Sequence, residues 1–239
     1  MKAVILAAGR GKRLRPLTKV IPKAMAPVAG KPLLAWTVES LARHGVRDII
    51  IVVGYLGGMI KEFFGDGRRF GVNITYVTQK ELKGTAHALK AAERYVDGDF
   101  LLVYGDVLFD PEVLGELLSE RKPTLCAKEV EDPQRYGVLE VEGNRLVGIR
   151  EKEPNPKSNL VNAGIYYLPK EVFKAIDKVP LSPRGEYELT DAIQLLLDSG
   201  VEFKVLPIRS YWIDVGTLDK LNMAQEVMKD VRDNRVRGG

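Results

Sequence analysis

Leu6-Ala7-Ala8-Gly9-Arg10-Gly11-Lys12-Arg13-Leu14-Arg15-Pro16-Leu17-Thr18 follows directly on the apolar run Lys2-Ala3-Val4-Ile5. A buried strand that runs into a glycine turn bearing cations points to an α/β sheet with an anion site at the strand's carboxyl end. Gly9 and Gly11 let the backbone approach a phosphate and turn its N–H groups toward it. Arg10, Lys12, Arg13 and Arg15 add charge-assisted donors, and Pro22-Lys23 brings the next cation. Together they make an anion site large enough for a triphosphate. Two other glycine motifs fit poorly. Leu14 stands where a dinucleotide-binding fingerprint needs glycine, and Arg13 follows Gly11-Lys12 where a Walker A loop needs Ser or Thr. A glycine turn with nearby cations can equally be an ordinary surface loop. Four cations within six residues, at a strand's end, favour the phosphate reading.

Outward from this loop, the first half alternates apolar strands with helical patterns. A helical stripe of Leu33, Leu34, Trp36, Val38, Leu41 and Ala42 stops at His44-Gly45. Ile49-Ile50-Ile51-Val52-Val53 is apolar without a break, as expected of a strand covered on both faces. A short helix is expected over 58–64, a strand over 73–77, a helix over 85–95, a strand over 100–104 and a proline-opened helix over 111–120. This order predicts a parallel sheet with right-handed crossovers and ligands beyond the strands' carboxyl ends. The segments at those ends are 7–15 and Gly105-Asp106. The second half reads as a hairpin (137–142 and 145–150), strands over 161–168, 202–207 and 211–215, and helices over 171–176, 190–199 and 218–229. The expected fold class is α/β: a Rossmann-like, mostly parallel mixed sheet flanked by helices, with a smaller antiparallel substrate lobe. The chain is expected to be one domain, with a nucleotide-binding half over about 1–110 and a substrate-binding, dimer-prone half over about 111–239.

Composition bounds the function classes. The chain has 239 residues, 45% hydrophobic and 28% charged, enough for a buried core without disulfide or metal staples. No apolar run approaches a membrane span, and the N-terminus reads as a strand rather than a signal peptide. Cys126 stands alone, so no internal disulfide forms, and a reducing cytoplasm is the expected location. The net charge of +4 comes from scattered cations, which argues against nucleic acid and suits a small anionic substrate. Abundant Lys, Arg and Glu hint at a thermophilic source. The tail from Val231 is expected to fray. Leu218, Leu221, Met223 and Val227 leave the last helix open as core or as a homo-oligomer interface.

The loop Leu6-Ala7-Ala8-Gly9-x-Gly11-x-Arg13-Leu14-x-Pro16-Leu17-Thr18 with Pro22-Lys23 resembles the signature of the sugar-phosphate nucleotidyltransferases. That family includes glucose-1-phosphate thymidylyl- and uridylyltransferases and the uridylyltransferase domain of bifunctional N-acetylglucosamine-1-phosphate enzymes. Further family motifs follow in order along nearly the whole chain. The resemblance implies the nucleotide-diphospho-sugar transferase fold, with Leu6, Ala7, Ala8, Gly9 and Gly11 at the nucleotide. Gln79 with Gly84-Thr85-Ala86-His87-Ala88 resembles the base-reading segment, in which Gln79 would pair with a pyrimidine edge and Gly84 and Thr85 would lie along the base. Glutamine offers a donor and an acceptor, which matches uracil or thymine. Read without the family, the same segment is a helix start capped by Thr85.

Tyr104-Gly105-Asp106 and Trp212-Ile213-Asp214 resemble the two metal motifs, so that Asp106 and Asp214 would hold Mg²⁺. Either aspartate alone would read as a cap or turn residue. Gly137 in Tyr136-Gly137-Val138 resembles the sugar-binding turn. Glu151-Lys152, followed by Pro154 across an inserted Glu153, resembles the family's Glu-Lys-Pro. Glu151 would then bind sugar hydroxyls and Lys152 the sugar phosphate. Asn162 in Asn162-Ala163-Gly164 resembles the asparagine given to the sugar, and Gly185-Glu186-Tyr187-Glu188-Leu189-Thr190-Asp191 the substrate-lobe loop.

The implied reaction joins UTP or dTTP to a hexose 1-phosphate by direct in-line attack, with release of pyrophosphate. Arg13, Lys23 and Lys152 would carry it by charge neutralisation, and neither histidine is needed as a base. Two alternatives belong to other classes: a nucleotide-sugar-dependent glycosyltransferase, and a catalytically silent regulatory subunit of the same fold. A bifunctional acyltransferase is disfavoured because no hexapeptide repeat follows the last helix.

Overall fold

The computed structural model describes residues 1–237. The first half contains β1 (Lys2–Ala7), a small ribbon of β2 (Pro27–Val28) and β3 (Lys31–Pro32), α1 (Leu33–Arg43), β4 (Asp48–Val53), α2 (Gly57–Phe64), β5 (Asn73–Thr78), α3 (Thr85–Lys90), β6 (Phe100–Tyr104), β7 (Val107–Phe109) and α4 (Glu112–Glu120). There follow β8 (Thr124–Glu129), β9 (Gly137–Glu142), β10 (Arg145–Glu151), β11 (Leu160–Leu168), α5 (Val172–Ile176), α6 (Leu189–Asp198), β12 (Lys204–Pro207), β13 (Trp212–Asp214) and α7 (Leu218–Arg237).

One sheet of nine strands runs through both halves in the order β5-β4-β1-β6-β11-β8-β12-β10-β9. The strands β5, β4, β1 and β6 are mutually parallel, as the alternating pattern predicts. From β11 onward most pairings are antiparallel, which is the expected change of character in the second half.

The uninterrupted apolar strands are explained by two cores. In β4, Ile50 and Val52 join Val4, Leu102 and Phe100 on the face covered by α3, α5 and α6. Ile49, Ile51 and Val53 join Ile5, Leu101 and Val103 on the opposite face, under α1, α2 and α4. A strand whose alternate residues must all be dry cannot show a polar period.

A third, smaller cluster matters most for the site. Leu14, from the glycine loop, is fully buried against Leu108, Ile213, Val215 and α7 residues Leu221, Ala224 and Met228. Leu108 and Ile213 lie opposite each other in the two-stranded β7–β13 ribbon. The cluster therefore ties the loop to β13, which carries Asp214, and to β7, which starts directly after Asp106.

Three details differ from the sequence expectation. The helix expected over 85–95 stops at Lys90, and a separate 3-10 turn covers Glu93–Tyr95. Thr85 does not cap its own helix: Gly84 occupies the cap position, and the Thr85 hydroxyl accepts instead from the N–H of Leu189, the first residue of α6, at 2.9 Å. The expected frayed tail continues as helix to Arg237, while Gly238 and Gly239 lie outside the described residues. On α7, Leu221 is buried and Val227 packs against the third cluster, whereas Leu218 and Met223 are exposed.

Truncating a buried leucine removes transfer free energy and leaves a cavity, at about 2–5 kcal/mol. Leu14→Ala is expected to lower unfolding stability by about 3 kcal/mol in chemical denaturation. A loss below about 1 kcal/mol would show that Leu14 is not an anchor.

Candidate active site

The glycine loop leaves β1 at the centre of the parallel strands. Gly11 has φ +58°, and a Cβ there would stand 3.0 Å from both Lys23 Cβ and Thr18 Cγ2. The turn is closed by the Thr18 hydroxyl, which donates to the Gly11 carbonyl at 2.7 Å, and by the Leu14 N–H, which donates to the same oxygen at 3.0 Å. Among the described residues, the N–H groups of Gly9, Arg10 and Gly11 have no acceptor within the chain. Successive free amides with flanking cations form an anion cradle. Gly54 lies beneath the loop, where a Cβ would come within 2.7 Å of the Ala8 carbonyl.

Two adjoining cavities open at these strand ends. The larger, about 590 Å³, is lined by Leu6, Ala8, Gly9, Gly11, Gln79, Gly84, Thr85 and Asp106, together with Arg10 and Lys12. The smaller, about 160 Å³, is lined by Arg13, Lys23, Asp106, Gly137, Glu151, Lys152, Asn162 and Asp214. Thr85, Tyr104 and Asp106 line both, so the two spaces share a wall. Of the residues expected at the phosphates, base, sugar or metal, Ala7 and Arg15 line neither cavity; the Ala7 side chain packs in the core.

At this junction the Lys23 ammonium touches both aspartates, at 2.6 Å from Asp106 Oδ2 and 3.2 Å from Asp214 Oδ1. Burial disfavours the ammonium, but the two carboxylates outweigh that effect and raise its pKa. Arg13 Nη2 stands 4.0 Å from Asp214 Oδ2. The convergence is built by backbone pairing: Asp214 lies opposite Val107, and the Val215 N–H donates to the Asp106 carbonyl at 3.0 Å. Two carboxylates that share one ammonium have the spacing to share a divalent cation. Their hard oxygen donors suit Mg²⁺. Among the described residues, no group of three or more His, Cys, Asp or Glu side chains could hold a metal. A cation here would therefore need further ligands from phosphate oxygens or water.

The segment expected to meet a base is clipped to the loop over 182–188. The Tyr187 N–H donates to the Lys83 carbonyl at 2.8 Å, and the Ala86 N–H donates to the Tyr187 carbonyl at 3.0 Å. Gly84 has φ +100°, and a Cβ there would meet Tyr187 O at 2.4 Å, so no side chain is tolerated. Behind the shared wall runs a chain of buried hydroxyls. The Tyr166 hydroxyl donates to the Tyr104 hydroxyl at 3.2 Å, and Asn162 Nδ2 donates to Tyr166. Asn162 Oδ1 accepts from the Gly164 N–H at 2.9 Å. Burial pushes both tyrosine hydroxyls up in pKa, so they remain protonated donors.

Sequence reasoning missed part of the smaller cavity's lining. Glu188, 3% exposed, pairs with Arg184, which also reaches Glu151 at 3.5 Å. Glu188 lies in the segment recognised as a substrate-lobe motif and Arg184 directly precedes that segment, but nothing in a run of charges shows that Glu188 folds inward. Lys152 ends β10 in a left-handed conformation, φ +49°, held by its N–H donating to the Tyr136 carbonyl at 2.8 Å. Cys126 is fully buried, and burial pushes its thiol pKa up, so it is no nucleophile.

The sheet, the glycine loop and the cleft at the strand ends define an α/β protein built to hold a phosphate-bearing ligand. The nucleotidyl transferase family model matches residues 2–231, and the chain belongs to that family. It is 38% identical over its full length to the bifunctional protein GlmU of Methanocaldococcus jannaschii, of which it spans 57%. It is 37% identical to the UTP–glucose-1-phosphate uridylyltransferase AglF of Haloferax volcanii, with 96% of this chain and 97% of that one covered. It is 36% identical over its full length to a glucose-1-phosphate thymidylyltransferase of Streptomyces antibioticus, of which it spans 69%. Among solved structures it resembles a putative glucose-1-phosphate thymidylyltransferase from Bacillus anthracis, with a TM-score of 0.87, 33% identity and 96% of each chain covered. No helix among the described residues is long and apolar enough to cross a membrane.

Burial, then the neighbouring Glu188 carboxylate, push the Glu151 carboxyl up to about 7, against the pull of Arg184. A carboxyl with a raised folded pKa keeps its proton while the unfolded chain has already lost its own. Below pH 4.5 neither state is penalised; between 4.5 and 7 the folded state loses stability; above 7 the loss is complete. Glu151→Gln is therefore expected to gain stability over the wild type as pH rises from 4.5 to 8, by on the order of 2 kcal/mol. Urea unfolding at the two pH values measures this. A stability difference that does not change with pH would contradict it.

Proposed function

We propose that this chain joins a nucleoside triphosphate to a sugar 1-phosphate with release of pyrophosphate, and that it requires Mg²⁺. The observation that carries this reading is the convergence of Arg13, Lys23, Asp106 and Asp214 at the wall shared by two cavities. The larger cavity, with free amides at one end and Gln79 at the other, suits a nucleotide. The smaller, with Gly137, Glu151, Lys152 and Asn162, suits a sugar phosphate. On this reading the nucleotide rests mainly on residues 1–110 and the sugar on the rest, with Asp214 reaching across from the second half. The uridylyl- and thymidylyltransferase relatives support a pyrimidine dione, hence UTP or dTTP, with glucose 1-phosphate as acceptor, and the motifs in the sequence add N-acetylglucosamine 1-phosphate as the other candidate.

In the reaction an oxygen of the sugar phosphate forms a bond to the α-phosphorus. The bond from that phosphorus to the bridging oxygen breaks, and pyrophosphate leaves with the electron pair. A phosphate oxygen is already a nucleophile at neutral pH, so no residue has to remove a proton. Arg13 neutralises the β- and γ-phosphates and the leaving pyrophosphate, and Lys152 holds the incoming phosphate. Lys23, 11% exposed, steadies the phosphates at the reacting end. Glu151, Gly137 and Asn162 orient the hexose. Mg²⁺ held by Asp106 and Asp214 would supply charge neutralisation at the phosphate oxygens. The complete set of charged groups favours catalysis over a silent regulatory role. The buried, unreactive Cys126 suits a reducing cytoplasm.

A matrix of nucleoside triphosphates against sugar 1-phosphates with Mg²⁺, scored by pyrophosphate, tests the proposal. UTP or dTTP with a hexose 1-phosphate is expected to give product, and silence across the matrix would refute it. In the active combination, Arg13→Ala and Asp106→Ala are expected to lose at least about 10²-fold in turnover while remaining folded. Near-normal rates in either variant would remove that residue from the catalytic assignment.

A further inference from the structure

We propose that His87 fixes the orientation of the Gln79 side-chain amide, so that the base pocket presents a hydrogen-bond acceptor and selects bases carrying an N3–H donor. The inference rests on the reading of Gln79 as the residue that meets the base.

Gln79 follows β5 directly and is 5% exposed. Its backbone N–H donates to the Val53 carbonyl at 2.8 Å, which fixes where the side chain starts. Its side-chain nitrogen lies 3.2 Å from the Gly84 carbonyl oxygen and 3.0 Å from His87 Nδ1. A carbonyl oxygen only accepts, so the nitrogen end of the amide must face Gly84. That same nitrogen can only donate, so His87 Nδ1 accepts, and the ring proton sits on Nε2. The two amide hydrogens are then both used within the protein.

What remains for a ligand is Oε1, which has no hydrogen-bond partner among the described residues, on a side chain that lines the larger cavity. Taken alone, glutamine offers a donor and an acceptor. Held by His87 and Gly84, it offers an acceptor. Uracil and thymine place an N–H at N3, which meets that acceptor. Cytosine places a lone pair there, which is repelled.

The tether is itself held. His87 lies on α3 and stacks against Tyr187, with ring centroids 6.4 Å apart and planes 24° apart. Tyr187 is bonded through its backbone to Lys83 and Ala86, on either side of Gly84. Neither His87 nor Tyr187 need touch the ligand, so His87 is a positioning residue rather than a catalytic one. Its loss is expected to move base discrimination more than turnover.

The test measures kcat/KM for UTP and for CTP at saturating sugar 1-phosphate in four proteins. In His87→Phe, which keeps a ring to stack on Tyr187 and removes the acceptor, the UTP/CTP ratio is expected to fall at least tenfold, chiefly through KM. In His87→Asn, whose amide oxygen can stand where Nδ1 stood, the ratio is expected to stay within about threefold of wild type. Gln79→Ala is expected to lose the discrimination outright. If Gln79→Ala abolishes discrimination while His87→Phe leaves it intact, the tether is wrong and the base-reading role of Gln79 stands. If Gln79→Ala leaves discrimination intact, both fail.

A second readout needs no variant. The chain has two histidines. His44 Nδ1 lies 2.9 Å from the Ser40 carbonyl, so it must carry a proton, whereas His87 Nδ1 must not. Nitrogen-15 spectra of the wild type are expected to show one ring protonated at Nδ1 and one ring that carries its proton on Nε2 alone. Two Nδ1–H rings would overturn the proposal.

Discussion

The bond network on which the site depends is the pair of contacts from the Lys23 ammonium to Asp106 and Asp214. These aspartates are 83 and 191 residues away from Lys23 in the chain. Two like charges brought this close repel unless a cation stands between them. In the protein as described, the lysine supplies that charge. In the proposed complex, a divalent ion and the triphosphate would redistribute it. The arrangement is a charge balance that ligand binding can rewrite, which suits a reaction whose difficulty lies in crowding phosphates together.

Holding such a centre in place is the work of short-range backbone pairing over a dry support. The β7–β13 ribbon is only three residues long on each side, yet it sets Asp214 beside Asp106. Beneath it, Leu14, Leu108, Ile213 and Val215 form one buried cluster with α7. The loop that carries Arg13 thus rests on the same apolar patch as the strands that carry the carboxylates. On the other side of the cleft, Gly84 and Tyr187 clip the segment over 83–86 to the loop that carries Glu188. The Tyr104–Tyr166 pair then runs from the wall shared by the two cavities to Asn162, which lines the smaller one.

Much of this was legible in the sequence where physics acts locally. A strand dry on both faces must be apolar throughout, so β4 and β6 could be read directly. The glycine loop could be read because close backbone approach leaves few residue choices. Asp106 and Asp214 were legible only through the resemblance, since an isolated aspartate after a strand carries no chemistry of its own. Three things could not be read. Thr85 looked like a helix cap because its partner, Leu189, lies 104 positions away. The burial of Glu188 could not be read because it depends on which loop covers a charge. The contact of His87 with Gln79 could not be read because it appears only when the end of β5 and α3 are placed side by side.

The central claim is that one cation can be shared by Asp106 and Asp214 beside Arg13. It is tested most directly by a crystal structure with Mn²⁺ and a non-hydrolysable triphosphate, located by anomalous scattering. The account predicts one metal peak in contact with both carboxylates, with the Lys23 ammonium displaced toward the phosphates. A metal held by only one of the two carboxylates, or lying elsewhere while Lys23 still bridges them, would contradict it.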